Sequence, residues 1–224
     1  MNDKSFVQTQ FTDLNDIRNE LSLFKFNSKK QEEEFIKEQE CIIQMEYAYN
    51  WAKRMCYAKR RKVGAVIYKN RKPLSVGFNG TPSGEANECE YEDEHGNLIT
   101  KPNVIHAEAN AFDKLVAEGN HIGTKNAAIF TTTAPCLGCT MRIINCKIST
   151  VYFTEIYRSV DGLESLIKHN ITIKHIDMKN EKITTVFESV DNNNKEGIEA
   201  KIQGLTQCRE MLKTYEQDDY LAYN

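Results

Sequence analysis

Apolar residues recur at helical spacing between positions 35 and 58, as Phe35, Ile36, Ile42, Ile43, Met45, Ala48, Tyr49, Ala52 and Met55, with no Gly or Pro among them. Such a stripe predicts one long helix. The period then shortens. Val63-Gly64-Ala65-Val66-Ile67-Tyr68 and Leu74-Ser75-Val76-Gly77-Phe78 flank the turn-forming Lys69-Asn70-Arg71-Lys72-Pro73, and together they predict an antiparallel hairpin. Beyond it the two periods alternate. A helix is expected over 106–118, with Ala107, Ala111, Leu115 and Val116 facing inward and Gly119 stopping it. It is followed by a strand at 126–131, a helix at 137–146 behind Pro135, a strand at 150–153, a helix at 161–169 and a strand at 171–176. Strands interleaved with short helices make this an α/β chain.

The pattern weakens at both margins. Residues 1–40 form a polar arm, with one short helix expected at 13–24 through Leu14, Ile17, Leu21 and Phe24. Residues 178–224 form an extension expected to pack on the core or on a neighbouring subunit. It holds an extra strand at 182–187 and a helix face made of Ile198, Ile202, Leu205, Met211 and Leu212, although Gly197 and Gly204 weigh against that helix. Between them, 41–177 is expected to form the principal domain. Its acidic stretch 85–103, with a turn at Glu94-His95-Gly96-Asn97, reads as a lid or a subunit contact.

Composition narrows the class. The chain has 224 residues, 40% of them hydrophobic, which favours one sizeable core with extensions over two full domains. A net charge of −3 gives no general attraction for nucleic acid, so none is expected as a partner. The local exception, Lys59-Arg60-Arg61-Lys62, is either a solvated helix end or a holder of phosphate. No apolar run reaches membrane-spanning length and Met1-Asn2-Asp3-Lys4-Ser5 opens no signal core, so a cytoplasmic protein with no membrane partner is expected. Seven cysteines are an odd number and favour thiols and metal ligands over a disulfide framework. Cys41, Cys56, Cys89, Cys146 and Cys208 read as small buried hydrophobes.

The remaining two, Cys136 and Cys139, stand in Pro135-Cys136-Leu137-Gly138-Cys139, about thirty residues after His106-Ala107-Glu108. On the first turn of a helix this spacing brings both sulfurs to one side, near a positive helix end that favours thiolate. With His106 as third ligand a zinc ion would keep a fourth position for water, and Glu108 could move protons without binding the metal. Each piece has a plainer reading: a cap for His106, dipole stabilisation for Glu108, a redox or structural pair for the cysteines. Their joint order and setting favour hydrolysis of an aminated ring, as in zinc nucleobase deaminases.

These motifs, with Arg61-Lys62-Val63-Gly64-Ala65-Val66-Ile67 and Gly77-Phe78-Asn79-Gly80-Thr81-Pro82-Ser83-Gly84, make 41–176 resemble the cytidine-deaminase superfamily, and within it the deoxycytidylate (dCMP) deaminases. The resemblance implies a three-layer α/β/α fold with a five-stranded mixed sheet and helices on both faces. It implies one catalytic zinc ion on His106, Cys136 and Cys139, with Glu108 as acid and base. It also implies substrate contacts from Asn79, Val63, Ala107, the backbone at Ala134 and Tyr157, and an effector or phosphate region at Gly80, Thr81, Lys59, Arg60 and Arg61. Hydrolysis of dCMP to dUMP and ammonia, control by dCTP and dTTP, and a homo-oligomer, often a hexamer, would follow. Ala134 departs from the Ser common there. Cys89 and His95 lie where some relatives hold a second zinc, but the ligand spacing is absent, so one ion is expected. Alternatives are a deaminase of dCTP, of free cytidine or deoxycytidine, or of adenosine in tRNA, and a silent zinc scaffold whose usual mark, loss of the Glu, is absent here.

Overall fold

Strand β1 (Gly64–Lys69) is buried along most of its length because it lies inside a sheet covered on both sides. It pairs antiparallel with β2 (Lys72–Phe78) through the expected hairpin and antiparallel with β5 (Ala128–Thr133) on its other edge. From β5 the sheet continues in parallel to β6 (Thr150–Glu155) and β7 (Thr172–Asp177), and β8 (Lys182–Phe187) closes it antiparallel. The order is β2-β1-β5-β6-β7-β8. The sheet therefore has six strands rather than the expected five. The sixth comes from the extension, whose Val186 and Phe187 are buried in the core.

The computed structural model describes residues 26, 28–119, 123–191 and 194–223; the helix expected at 13–24 lies outside them. By its contacts the chain divides into Met1–Gln39 and Glu40–Asn224. Helix α1 (Lys29–Met55) begins earlier than its apolar stripe, because Lys29–Glu33 and Lys30–Glu34 pair one turn apart on an exposed surface. In the first unit Phe26 lies 5.6 Å from Phe35, centroid to centroid.

In the second unit, alternation along the strands sorts side chains into two cores. Ile42, Met45 and Ala48 of α1 meet Val66, Phe130 and Ile176 on one face. The other face carries Ala65, Ile67, Ile129, Val151, Phe153 and Ile173 against α2 (Ala107–Ala117), α3 (Leu137–Asn145), α4 (Asp161–Lys168) and α5 (Lys195–Tyr223). This is the expected three-layer arrangement. The stretch expected as an acidic loop instead holds a small hairpin, β3 (Glu90–Glu92) with β4 (Leu98–Thr100), its turn set by Gly96 at φ 80° and by Asp93 accepting from the Asn97 and His95 amides.

One contact sets the depth of α2. A Cβ placed on Gly77 would lie 2.0 Å from the Ala107 carbonyl oxygen and 2.4 Å from the Ala111 nitrogen. Only a glycine in β2 lets the first turn of α2 lie directly on the strand.

Candidate metal centre

His106 and Cys136 are the N-cap residues of α2 and α3, both with extended backbone and neither using its side chain as a cap. Two helix N-termini thus meet at the carboxyl ends of the parallel strands, where open α/β sheets place their ligands. Pro135 comes just before the cap, so α3 opens at Leu137, one residue past Cys136, and Cys139 lies on its first turn.

The His106 Nδ1 atom lies 3.5 Å from Cys136 Sγ and 3.5 Å from Cys139 Sγ. All three ligand atoms lie within 4.8 Å of one another. A tetrahedral zinc ion with bonds of about 2.3 Å to sulfur and about 2.05 Å to nitrogen requires an N···S edge of about 3.5 Å, so the donor set fits that ion in both chemistry and size. Among the described residues neither Cys89 nor His95 enters such a cluster.

The electrostatics agree with a cation at this point. The Cys136 thiol is brought down to about 3, first by the hydrogen bond from Cys139 and then by His106. Cys139 is pushed up, because it gives its proton to Cys136 and is buried beside Glu108. One proton thus serves two sulfurs. His106 holds its proton more tightly, chiefly through its hydrogen bond with Cys136. Glu108 is only 4% exposed, and burial raises it to about 7. A cation shared by the sulfurs would hold both as thiolates and leave Glu108 beside the site as a non-ligand.

The description "Cytidine and deoxycytidylate deaminase zinc-binding region" fits residues 39–155. The chain belongs to the cytidine and deoxycytidylate deaminase family. It is 27% identical to the deoxycytidylate deaminase of Enterobacteria phage T4, over 62% of this chain and 90% of that one. With the deoxycytidylate deaminase of Saccharomyces cerevisiae it shares 32% identity over 54% of its own length, a match spanning 40% of the yeast protein. The dCMP deaminase of cyanophage S-TIM5, solved in complex with dCMP and dUMP, superimposes with a TM-score of 0.53 and 30% identity, covering 67% of this chain and 100% of that one. In this deaminase-family chain no helix among the described residues is long and apolar enough to cross a membrane.

The other expected site residues fall into three groups. Asn79 braces the strand pair: its Oδ1 accepts from the Val63 amide at 2.7 Å and from the Cys56 thiol at 3.1 Å, and its Nδ2 donates to the Arg61 carbonyl at 3.0 Å. One N–H of that amide stays available for a ligand. Ala107 and Ala134 are buried, and the Ala134 amide donates to the Glu155 carbonyl at 2.7 Å, which fastens the turn before Cys136 to the end of β6. Val63 and Tyr157 are half-buried against the same core.

The residues of the expected effector region have partners of their own. Gly80 exchanges backbone hydrogen bonds with Ile105, and the Thr81 hydroxyl donates to the Ala86 carbonyl. The Glu90 carboxylate accepts from the consecutive amides of Lys59 and Arg60 at 3.1–3.2 Å. Arg61 pairs with Glu155 at 3.2 Å and donates to the Tyr215 hydroxyl on α5 at 3.0 Å. Two neighbours of the site escaped the sequence reading: Cys56, whose thiol steadies Asn79, and Arg158, next to the expected Tyr157. The only linear sign of Arg158 is a cation adjoining a motif aromatic.

Proposed function

We propose that this chain catalyses hydrolytic deamination of dCMP to dUMP and ammonia, as a supplier of dUMP for thymidylate synthesis. The observation that carries this is the His106, Cys136 and Cys139 cluster of zinc dimensions with the buried, non-ligating Glu108 beside it. The likeness to a cyanophage enzyme solved with dCMP and dUMP supports the choice of nucleotide. When bound, a zinc ion on His106, Cys136 and Cys139 supplies a Lewis acid that makes water nucleophilic near neutral pH.

The chain's own groups then account for the protons. Glu108 takes a proton from the attacking water and passes it to ring N3 as oxygen adds at C4. Glu108 then takes the remaining proton from the hydroxyl added at C4 and delivers it to the amino group, so that the adduct collapses to the C4 carbonyl, the C4–N4 bond breaks and ammonia leaves. The burial of Glu108 keeps bulk water from competing for that proton. Val63, Ala107 and the backbone at Ala134 form the base pocket, Tyr157 packs against the ring, and the remaining Asn79 N–H donates to the sugar. Assembly as a homo-oligomer and control by dCTP or dTTP belong to the same proposal, with Gly80, Thr81, Lys59, Arg60 and Arg61 as the effector region.

The test is ammonia release from dCMP, compared with dCTP, cytidine and deoxycytidine. Glu108→Gln preserves shape while removing the acid and base, and should keep its zinc while losing about 10²- to 10⁴-fold in kcat. A zinc-loaded Glu108→Gln protein at full rate overturns the mechanism.

A further inference from the structure

The proposed base pocket has two walls that come from different stretches of chain. One is the hairpin end with Val63 and Asn79; the other is the turn that carries Ala134 and Cys136. Arg61 and Glu155 join them. The Arg61 carbonyl accepts from the Asn79 side-chain amide at 3.0 Å, and the Glu155 carbonyl accepts from the Ala134 amide at 2.7 Å. Each residue thus holds one wall by its backbone, and their side chains meet at 3.2 Å.

That ion pair is weak by itself. The Arg61 side chain is 37% exposed and that of Glu155 46%, and pairs so open to water contribute little, because solvent screens them and two long side chains must be ordered. Tyr215 on α5 changes the balance. Its hydroxyl accepts at 3.0 Å from the same Nη2 that meets Glu155, and its ring centroid lies 6.0 Å from the guanidinium carbon. The ring is itself packed on the core that also takes in Val63 and Tyr157. Ahead of it, α5 is fixed by the buried Cys208 and by Arg209, which donates to the Glu164 carboxylate of α4 at 2.8 Å. A guanidinium already restrained by a ring and a hydroxyl loses less freedom when it pairs.

We infer that Tyr215 is a positioning residue of the deaminase site: it fixes the Arg61 guanidinium against Glu155 and so keeps the wall of Val63 and Asn79 at a set distance from the turn of Ala134 and Cys136. This rests on the deamination proposed above, in which both walls enclose the cytosine. Tyr215 meets no reacting atom; it acts through the width of the pocket.

Two substitutions separate the clamp from its packing. Tyr215→Phe keeps the ring and removes the hydroxyl, and Arg61→Met keeps the stem and removes the charge. The singles, the double variant and the wild type are compared for turnover of dCMP, for dUMP binding by calorimetry, and for hydrogen exchange at the Val63 and Ala134 amides, with zinc content verified. Each single variant should lose about 3- to 10-fold in kcat/KM and in dUMP affinity, the effect of one hydrogen bond to a charged group discounted for solvent. The double variant should lose no more than Arg61→Met, because Tyr215 acts through Arg61. In Tyr215→Phe both amides should exchange faster while zinc content and Tm stay as in the wild type. Additive losses in the double variant, a loss in Tyr215→Phe that is matched by a lower Tm, or unchanged kinetics and exchange in that variant would each overturn the assignment. If the wild type releases no ammonia from dCMP, the deamination reading has failed; exchange of the two amides, accelerated in Tyr215→Phe or not, still decides the clamp.

Discussion

Replacing Gly77 by alanine tests whether the strand beneath α2 holds the metal centre in place. The added Cβ would stand 2.0 Å from the Ala107 carbonyl oxygen, where carbon and oxygen need about 3.3 Å, so helix and strand must separate by roughly 1.3 Å. The obstacle on both sides is backbone, at Ala107 and Ala111, so no flexible side chain can absorb the displacement. The carbonyl struck belongs to the residue between His106 and Glu108. Metal sites tolerate ligand shifts of about 0.2 Å, and a misplacement of about 1 Å in a reacting group costs about 10²-fold in rate. Gly77→Ala should therefore lose zinc on dialysis, lose at least about 10²-fold in kcat/KM, and lose about 1–3 kcal/mol of stability through overpacking. Zinc content, steady-state rates and thermal melting in the presence of zinc read the three effects separately. Full zinc, full rate and an unchanged Tm would refute the claim that this contact sets the position of α2.

Three further outcomes are expected. Chelation should lower Tm, and zinc at 100 to 1,000 times its Kd should restore about 2.7–4.1 kcal/mol, whereas Cys139→Ala should show neither response. Burial, followed by the charge of Glu181, raises the Glu46 carboxyl in the folded chain, so the stability present below the unfolded value of 4.5 is lost as pH rises through the folded value; Glu46→Gln should be more stable than the wild type at pH 7 and equal to it in acid, by melting at both pH values. The buried Ser75 hydroxyl donates to the Ala111 carbonyl at 2.8 Å, and Ser75→Ala should cost about 1 kcal/mol by urea titration with little change in zinc affinity.

Period alone carried the central strands and the helices between them, since burial on both sides of the sheet left long apolar runs in β1 and β5. It could not find β3 and β4, because Glu90, Tyr91 and Glu92 lie at the surface and show no apolar face. Propensity argued against the last helix at Gly204, yet a Cβ there would come within 3.2 Å of Phe187; the residue permits close approach of α5 to β8. The cluster of His106, Cys136 and Cys139 was legible because coordination chemistry restricts both residue type and spacing. Arg158 was not, because its stacking on Tyr157 and its lack of a carboxylate partner among the described residues exist only once the loop is folded. The same holds for Glu90, whose carboxylate occupies amides that a basic run would otherwise offer to a phosphate.

Strand β2 forms an outer edge of the sheet, and its register with β1 turns the Val76 and Phe78 backbone outward. Two side chains one turn apart on α2 reach over that edge: Lys114 donates to the Val76 carbonyl at 3.2 Å and Asn110 to the Phe78 carbonyl at 2.8 Å. Pro73 contributes no amide further along. The helix that carries Glu108 thus also silences the strand it lies on as a template for another strand. Copies of this chain that associate on this side must do so through side chains, with no shared ladder, and an Asn110→Ala, Lys114→Ala pair would reopen the edge to fibrillar growth without touching the ligands of the centre.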